Sequence, residues 1–184
     1  MRIRRRRAAA LRKSWTQSSE TPTVELATIE HPALERLETL LRGEEAATLA
    51  FQSVLAALLP MLERVLQREQ QAADASLSLA QRETLQEMTE TLATAIQMLR
   101  GALNERGQQV LRYERPVESG PPERSWWFAL SEALEAVEDA LQRIPPLVRA
   151  QPRSSLSRCV GALLLRLLRQ HQRHLLHEAR EWIE

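Results

Sequence analysis

The sequence predicts an all-α helical bundle of about four long helices and one short helix, preceded by a disordered basic arm. Apolar residues make up 43% of the 184 residues, which suits a packed core, and few of them are β-branched, which disfavours a sheet. Leucines and other apolar residues recur at alternating spacings of three and four along four separate stretches, as in amphipathic helices. A chain of this length fits one domain.

The chain begins with the basic arm. Residues 1–19 hold six arginines, one lysine and no acid, and no apolar period appears before about residue 22, so residues 1–22 are predicted to be disordered. The arm's candidate binding residues for an anionic partner are Arg4, Arg5, Arg6 and Arg7. Its apolar stretch is too short for a signal peptide, although an Arg-rich, acid-free start also fits an organellar transit peptide. A single lysine among 25 basic residues suggests a GC-rich, bacterial genome. A lone cysteine favours a reducing compartment, so we expect a cytoplasmic protein.

Residues 23–113 are predicted to form an N-terminal helical hairpin. A short helix over 32–42 should end at Gly43 in a left-handed cap. A long helix over about 44–72 should kink at Pro60, and Ser78 with Gln81 should open the next helix as a capping box, to end near Gly107. The two apolar seams are Phe51, Leu55, Leu58, Leu62 and Val65, then Leu85, Met88, Leu92, Ala95, Leu99 and Ala102. The short loop between these long helices predicts that they lie antiparallel.

A loop at 114–124 precedes a C-terminal helical pair at 125–184, which we expect to join the hairpin in one composite domain. The first helix of the pair should open with two tryptophans as core or interface residues and stop at Pro145 and Pro146. The second should start near Ser154 or Ser155, which are good caps, and run to about residue 183. Cys159 is the only cysteine, so no intramolecular disulfide can form, and its apolar surroundings predict a core position.

Charge is segregated along the chain. Residues 20–142 hold 21 acids against 10 arginines, whereas residues 143–173 hold seven arginines and no acid. On the last helix the arginines fall within a sector of about 80 degrees: Arg158, Arg166, Arg169, Arg173 and Arg180. This stripe is interpreted as a solvated face or a dock for the acidic middle of the chain, or as a track for phosphates or an acidic partner.

The core-facing arc of the last helix carries His171, His174 and Glu178, three potential metal ligands on one face. Helical metal sites draw further ligands from elsewhere, and the sequence shows no partner cluster. We therefore expect the histidines to be hydrogen-bonded to Glu178 or to a neighbouring helix. No metal and no cofactor is predicted.

The string Arg166-Leu-Leu-Arg-Gln-His171 resembles the R-x4-6-H signature of HEPN ribonucleases, helical bundles that pair across a dimer to bring two such motifs together. The resemblance covers six residues, and Leu167 stands where that family usually has a polar residue. It implies that His171 would serve in acid-base cleavage of RNA and that Arg166 would steady the phosphate.

No glycine-rich phosphate loop, nucleophile elbow or paired-carboxylate arrangement is present, and no transmembrane segment is expected. The sequence therefore favours a non-enzymatic protein-protein interaction, assembly or adaptor protein, which binds a partner or itself because its long seams present more leucine than one short bundle needs. The first alternative is a small helical subunit of a ribonucleoprotein that binds the nucleic-acid backbone through the arm and the stripe. The second is the HEPN-like ribonuclease.

Overall fold

The computed structural model describes residues 31–104 and 125–181. These residues form five helices: α1 (His31–Leu41), α2 (Leu49–Asp74), α3 (Leu79–Asn104), α4 (Trp126–Arg149) and α5 (Leu156–Glu181), with a 3-10 turn at Glu44–Ala47. They contain no strand, so the predicted all-α bundle of four long helices and one short one is confirmed. The predicted arm at 1–22 and loop at 114–124 lie outside the described residues.

Helix α2 is the centre of the bundle. It packs along α3 on one side and α4 on the other, α4 packs along α5, and α1 lies against both α3 and α5. Two contacts for each pair of helices fix the directions. Gln52 and Glu63 of α2 bind the Ala102 carbonyl and Arg100 of α3 at 3.0 and 2.6 Å. Arg64 and Arg68 of α2 bind Asp139 and Glu132 of α4 at 3.6 and 3.0 Å. Both neighbours therefore run antiparallel to α2, as predicted for α3.

The predicted seams fill the core. Every seam residue of α2 is at most 1% exposed, and in α3 only Ala102 is half-buried. Because these seams are covered within a single chain, an excess of seam leucine can no longer argue for self-association. Among the described residues, a surface for a partner must lie outside these seams.

The turn between α1 and α2 differs from the prediction. Gly43 has φ −74° and ψ 153°, an extended conformation open to any residue, so it is not the left-handed cap that was expected. It leads into the 3-10 turn, and α2 begins only at Leu49, where the Thr48 side chain accepts a hydrogen bond from the Phe51 backbone amide at 3.3 Å. A polar cap one turn further on therefore sets the start of α2.

Two other helix starts follow the predicted capping chemistry. The Ser78 hydroxyl accepts a hydrogen bond from the Gln81 amide at 3.1 Å, and the Ser155 hydroxyl accepts one from the Arg158 amide at 3.4 Å. Each satisfies one of the amides that a helix start leaves without an intrahelical partner.

Helix α4 does not stop at Pro145 and Pro146 but continues to Arg149, so that prediction was wrong. Each proline removes a backbone donor at a cost of about 3 kcal/mol. Ile144 and Val148, one turn apart, are 0% and 5% exposed, and burying such side chains returns about 1.5 to 3 kcal/mol each. Packing against α5 thus stabilises the last helical turn beyond the prolines.

The packing of α4 on α5 is closest at Gly161. A Cβ added to Gly161 would lie 2.2 Å from the Val148 Cγ2 atom, so the absence of a side chain lets the two helices approach here. Two residues earlier, Cys159 is exposed, contrary to its predicted core position. Val160, at 0% exposure, occupies the core-facing position, and Cys159 lies about 100 degrees around the helix from it.

Among the described residues, one helix, α2, has the length and apolar composition that could cross a membrane. The sequence analysis had expected no such segment. The core helix of a soluble bundle passes the same test. Here α2 buries its seam against α3 and α4, which is the behaviour of such a core helix.

Candidate functional site

A buried glutamate and histidine join α2 to α5. Glu69 and His171 are each 0% exposed, and the His171 Nδ1 atom donates to the two Glu69 carboxylate oxygens at 2.9 and 3.1 Å. The expectation that His171 finds a partner on a neighbouring helix is confirmed. The other ring nitrogen, Nε2, is buried and has no hydrogen-bond partner.

The two residues of the HEPN-like string do not come together. Arg166 is exposed and His171 is buried, because five residues of helix place their side chains about 140 degrees apart. The described bundle therefore offers RNA no accessible imidazole at His171. In the described bundle His171 contributes to the packing of α5 on α2.

The other two residues of the polar arc sit further along α5. His174 is half-buried and Glu178 is 6% exposed. Burial lowers the pKa of His174, and the nearby His171, His177 and Arg173 lower it further. Burial also raises the pKa of Glu178, helped by Glu181 and opposed by His177 and a hydrogen bond from the Gln81 side chain of α3.

His171, His174 and Glu178 do not form a metal site. Within residues 31–104 and 125–181, no three His, Cys, Asp or Glu side chains converge in a way that could hold an ion. His171 is bound to Glu69 on α2, and Glu178 contacts Gln81 on α3. The three residues share an arc of α5 but have separate partners.

The predicted stripe forms an arginine face on α5, made of Arg158, Arg166, Arg169, Arg173 and Arg180. All are exposed except Arg158, which is half-buried and donates to the Gln151 carbonyl at 3.3 Å. The side chains of Arg169, Arg173 and Arg180 form no ion pair with the described part of the chain. The candidate residues Arg4, Arg5, Arg6 and Arg7 lie outside it.

Sequence reasoning missed an apolar surface at one end of the bundle. The antiparallel packing brings together the end of α2, the α2–α3 loop, the start of α4 and the end of α5. Three large apolar side chains are exposed there, Leu77 at 74%, Leu79 at 71% and Phe128 at 43%. We call these three residues the apolar end. The sequence signal was available, because Leu77 and Leu79 flank the capping Ser78 and belong to neither seam.

Two buried polar atoms lie at the same end of the bundle. The Trp126 Nε1 atom, a donor, and the Glu178 Oε2 atom, an acceptor, are both buried without a hydrogen-bond partner. Leu49, the fourth large exposed apolar residue in the described chain, is 84% exposed at the opposite end of α2. Both polar atoms are buried beneath the surface of this end, so they are not part of the exposed apolar end.

Comparisons with known proteins do not narrow the function. No family model matches the chain, and neither the curated proteins nor the solved structures give a match.

Proposed function

We propose that this chain is a non-enzymatic helical assembly protein, which docks a second copy of itself through the apolar end. The observation that carries the proposal is that three of the four large exposed apolar side chains in the described residues lie at that end. Soluble monomers commonly expose single, scattered apolar side chains, whereas here three of them gather at one end of the bundle, as at interaction sites.

The estimated free energies of burial and association favour a two-fold contact. Such a contact buries the same patch on both copies, so six apolar side chains leave water, each contributing up to about 1.5 to 3 kcal/mol. The gross gain is of the same order as the 4 to 15 kcal/mol that association costs. A modest, concentration-dependent dimer is therefore expected.

The charges around the apolar end suit a second copy. Asp74, at the end of α2, and Arg82, in the first turn of α3, are both exposed. In a two-fold arrangement an acid of one copy can face a base of the other, so a rim with both signs is complementary to itself.

Sedimentation of the full chain between 1 and 100 μM tests the proposal. We expect the wild type to shift toward a dimer with concentration, and the double variant Leu77→Gln with Leu79→Gln to remain a monomer. Leu49→Gln is the matched control, because Leu49 and Leu79 each open a helix and are similarly exposed. A monomeric wild type over the whole range, or equal behaviour of the double variant and the control, would refute the proposal.

A further inference from the structure

We infer that the arginine face of α5 binds the phosphate backbone of nucleic acid without reading its sequence. This function is separate from docking at the apolar end, because the exposed arginines of the face point away from the core and include none of Leu77, Leu79 and Phe128.

The arginine face has the geometry of a linear track. From Arg158 to Arg180 it extends over about 33 Å at the rise of an α-helix. The steps from Arg166 to Arg169 and from Arg169 to Arg173 are about 4.5 and 6 Å. A nucleic-acid strand presents one phosphate for about every 3.4 Å of duplex axis. Successive arginines can therefore each reach a phosphate of one strand.

The charges of this face are less neutralised than those of the arginines elsewhere on the bundle. Five of the eight arginines described between residues 31 and 149 pair with a carboxylate: Arg42, Arg64, Arg68, Arg100 and Arg143. On α5, Arg169, Arg173 and Arg180 have no such pair with the described residues. The exposed Glu181 nearby lies 3.3 Å from His177 instead. The face thus keeps a positive charge for an external anion.

A polyphosphate suits this face better than an acidic protein surface. Exposed ion pairs between side chains each contribute little, since water and salt screen them, and a few of them do not offset the cost of association. A nucleic acid also releases condensed counterions when arginines replace them. That release is a driving force which protein carboxylates do not supply.

The arginine face offers bases no platform of large aromatic side chains on which to stack. Single-stranded nucleic acids are held by aromatic side chains on which the bases stack. The described part of α5 contains no Phe, Trp or Tyr, and the exposed Phe128 belongs to the apolar end. Contacts limited to phosphates position a nucleic acid but carry no sequence information, so binding should be independent of sequence.

The experiment is anisotropy of a labelled 20-base-pair DNA duplex titrated with the full-length protein in 50 to 200 mM NaCl. The variant is Arg169→Gln with Arg173→Gln. The matched control is Arg36→Gln with Arg64→Gln, which removes two exposed arginines from α1 and α2. Circular dichroism confirms that both variants are folded.

We expect the wild type to bind with a strong salt dependence and the α5 variant to bind roughly 10- to 60-fold more weakly near 0.1 M salt. Its slope of log affinity against log salt should fall by about 1.8, as for two lost phosphate contacts. The control should stay close to the wild type, and a second duplex of unrelated sequence should bind equally well.

Three results would overturn the inference. One is no binding by the wild type at 50 mM NaCl. Another is an equal loss in both double variants, or no loss in the α5 variant, which would place the binding elsewhere on the chain. The third is competition by poly-glutamate as effective as that by unlabelled duplex, which would identify an acidic polypeptide as the partner class.

Discussion

Helices α3 and α5 are both 26 residues long, yet their outer faces carry opposite charges. The exposed residues of α3 include Glu83, Glu87 and Glu90, whereas those of α5 include the arginines. Both helices bury one apolar seam in the same core cluster. Because the seams place both helices, the fold does not demand either outer charge. The difference between the outer faces therefore points to what each surface meets.

The inner faces of the two helices also differ. The seam of α3 is apolar at its five most buried positions: Leu85, Met88, Leu92, Ala95 and Leu99. On α5, the core-facing arc includes the buried polar residues Ser157, His171 and Glu178. Buried polar groups must be paired or they cost free energy. Helix α5 thus depends on specific partners on α2 and α3, while α3 depends mainly on apolar area.

The largest effect of this difference is expected at His171. His171→Ala removes the buried partner of Glu69 and leaves a buried carboxylate without its donor, which should lower the free energy of unfolding by about 3 to 5 kcal/mol. Urea denaturation at pH 7 measures the loss. The double variant Glu69→Leu with His171→Leu removes both polar groups and should recover most of the stability. A double variant as unstable as His171→Ala would show that shape, and not the unpaired carboxylate, governs this site.

The two helices give a second contrast at their glycines. A Cβ at Gly161 of α5 would overlap the Val148 side chain at 2.2 Å, whereas a Cβ at Gly101 of α3 would meet nothing within 4 Å. Gly161→Ala should therefore destabilise the protein by about 1 to 3 kcal/mol through overpacking. Gly101→Ala should stabilise it by up to about 1 kcal/mol through helix propensity.

Thermal or urea unfolding of both alanine variants checks this contrast. Adding Val148→Ala to Gly161→Ala should relieve the overlap and lessen the loss beyond what the single changes predict together. If Gly161→Ala were as stable as the wild type, α4 and α5 would not approach as closely as described.

The sequence was sufficient for the seams, because a spacing of three and four fixes which side of a helix is buried. It was also sufficient for the arginine face, which follows from the same angles. The sequence did not predict the features that depend on contacts between residues far apart in the chain. Glu69, the partner of His171, lies 102 positions away, and the last turn of α4 persists past Pro145 and Pro146 because Val148 is buried against α5. No local pattern contains either contact.

A smaller effect on stability, which depends on pH, is expected at Glu178, where α5 meets α3. Its pKa in the folded protein is raised above the usual 4.5, chiefly by burial. At neutral pH the ionised carboxylate therefore costs stability, and this cost disappears as the pH falls through the raised pKa toward 4.5, because the folded state takes up the proton more readily than the unfolded state. Glu178→Gln keeps an oxygen that can accept from Gln81 but removes the charge.

We expect Glu178→Gln to be more stable than the wild type at pH 7.5 in urea denaturation. The gap, which is the difference in the free energy of unfolding between the two proteins, should close as the pH approaches 4.5. The lowered pKa of His174 acts in the opposite direction, since stability is lost as the pH falls through 6.5. His174 is present in both proteins, so it affects the gap much less than it affects either stability curve. The matched control is Glu83→Gln on the exposed face of α3, where no comparable gap should appear. A gap for Glu178→Gln that stays constant from pH 7.5 to 4.5 would show that the substitution acts through packing, and that the buried charge of α5 is not what sets this helix apart from α3.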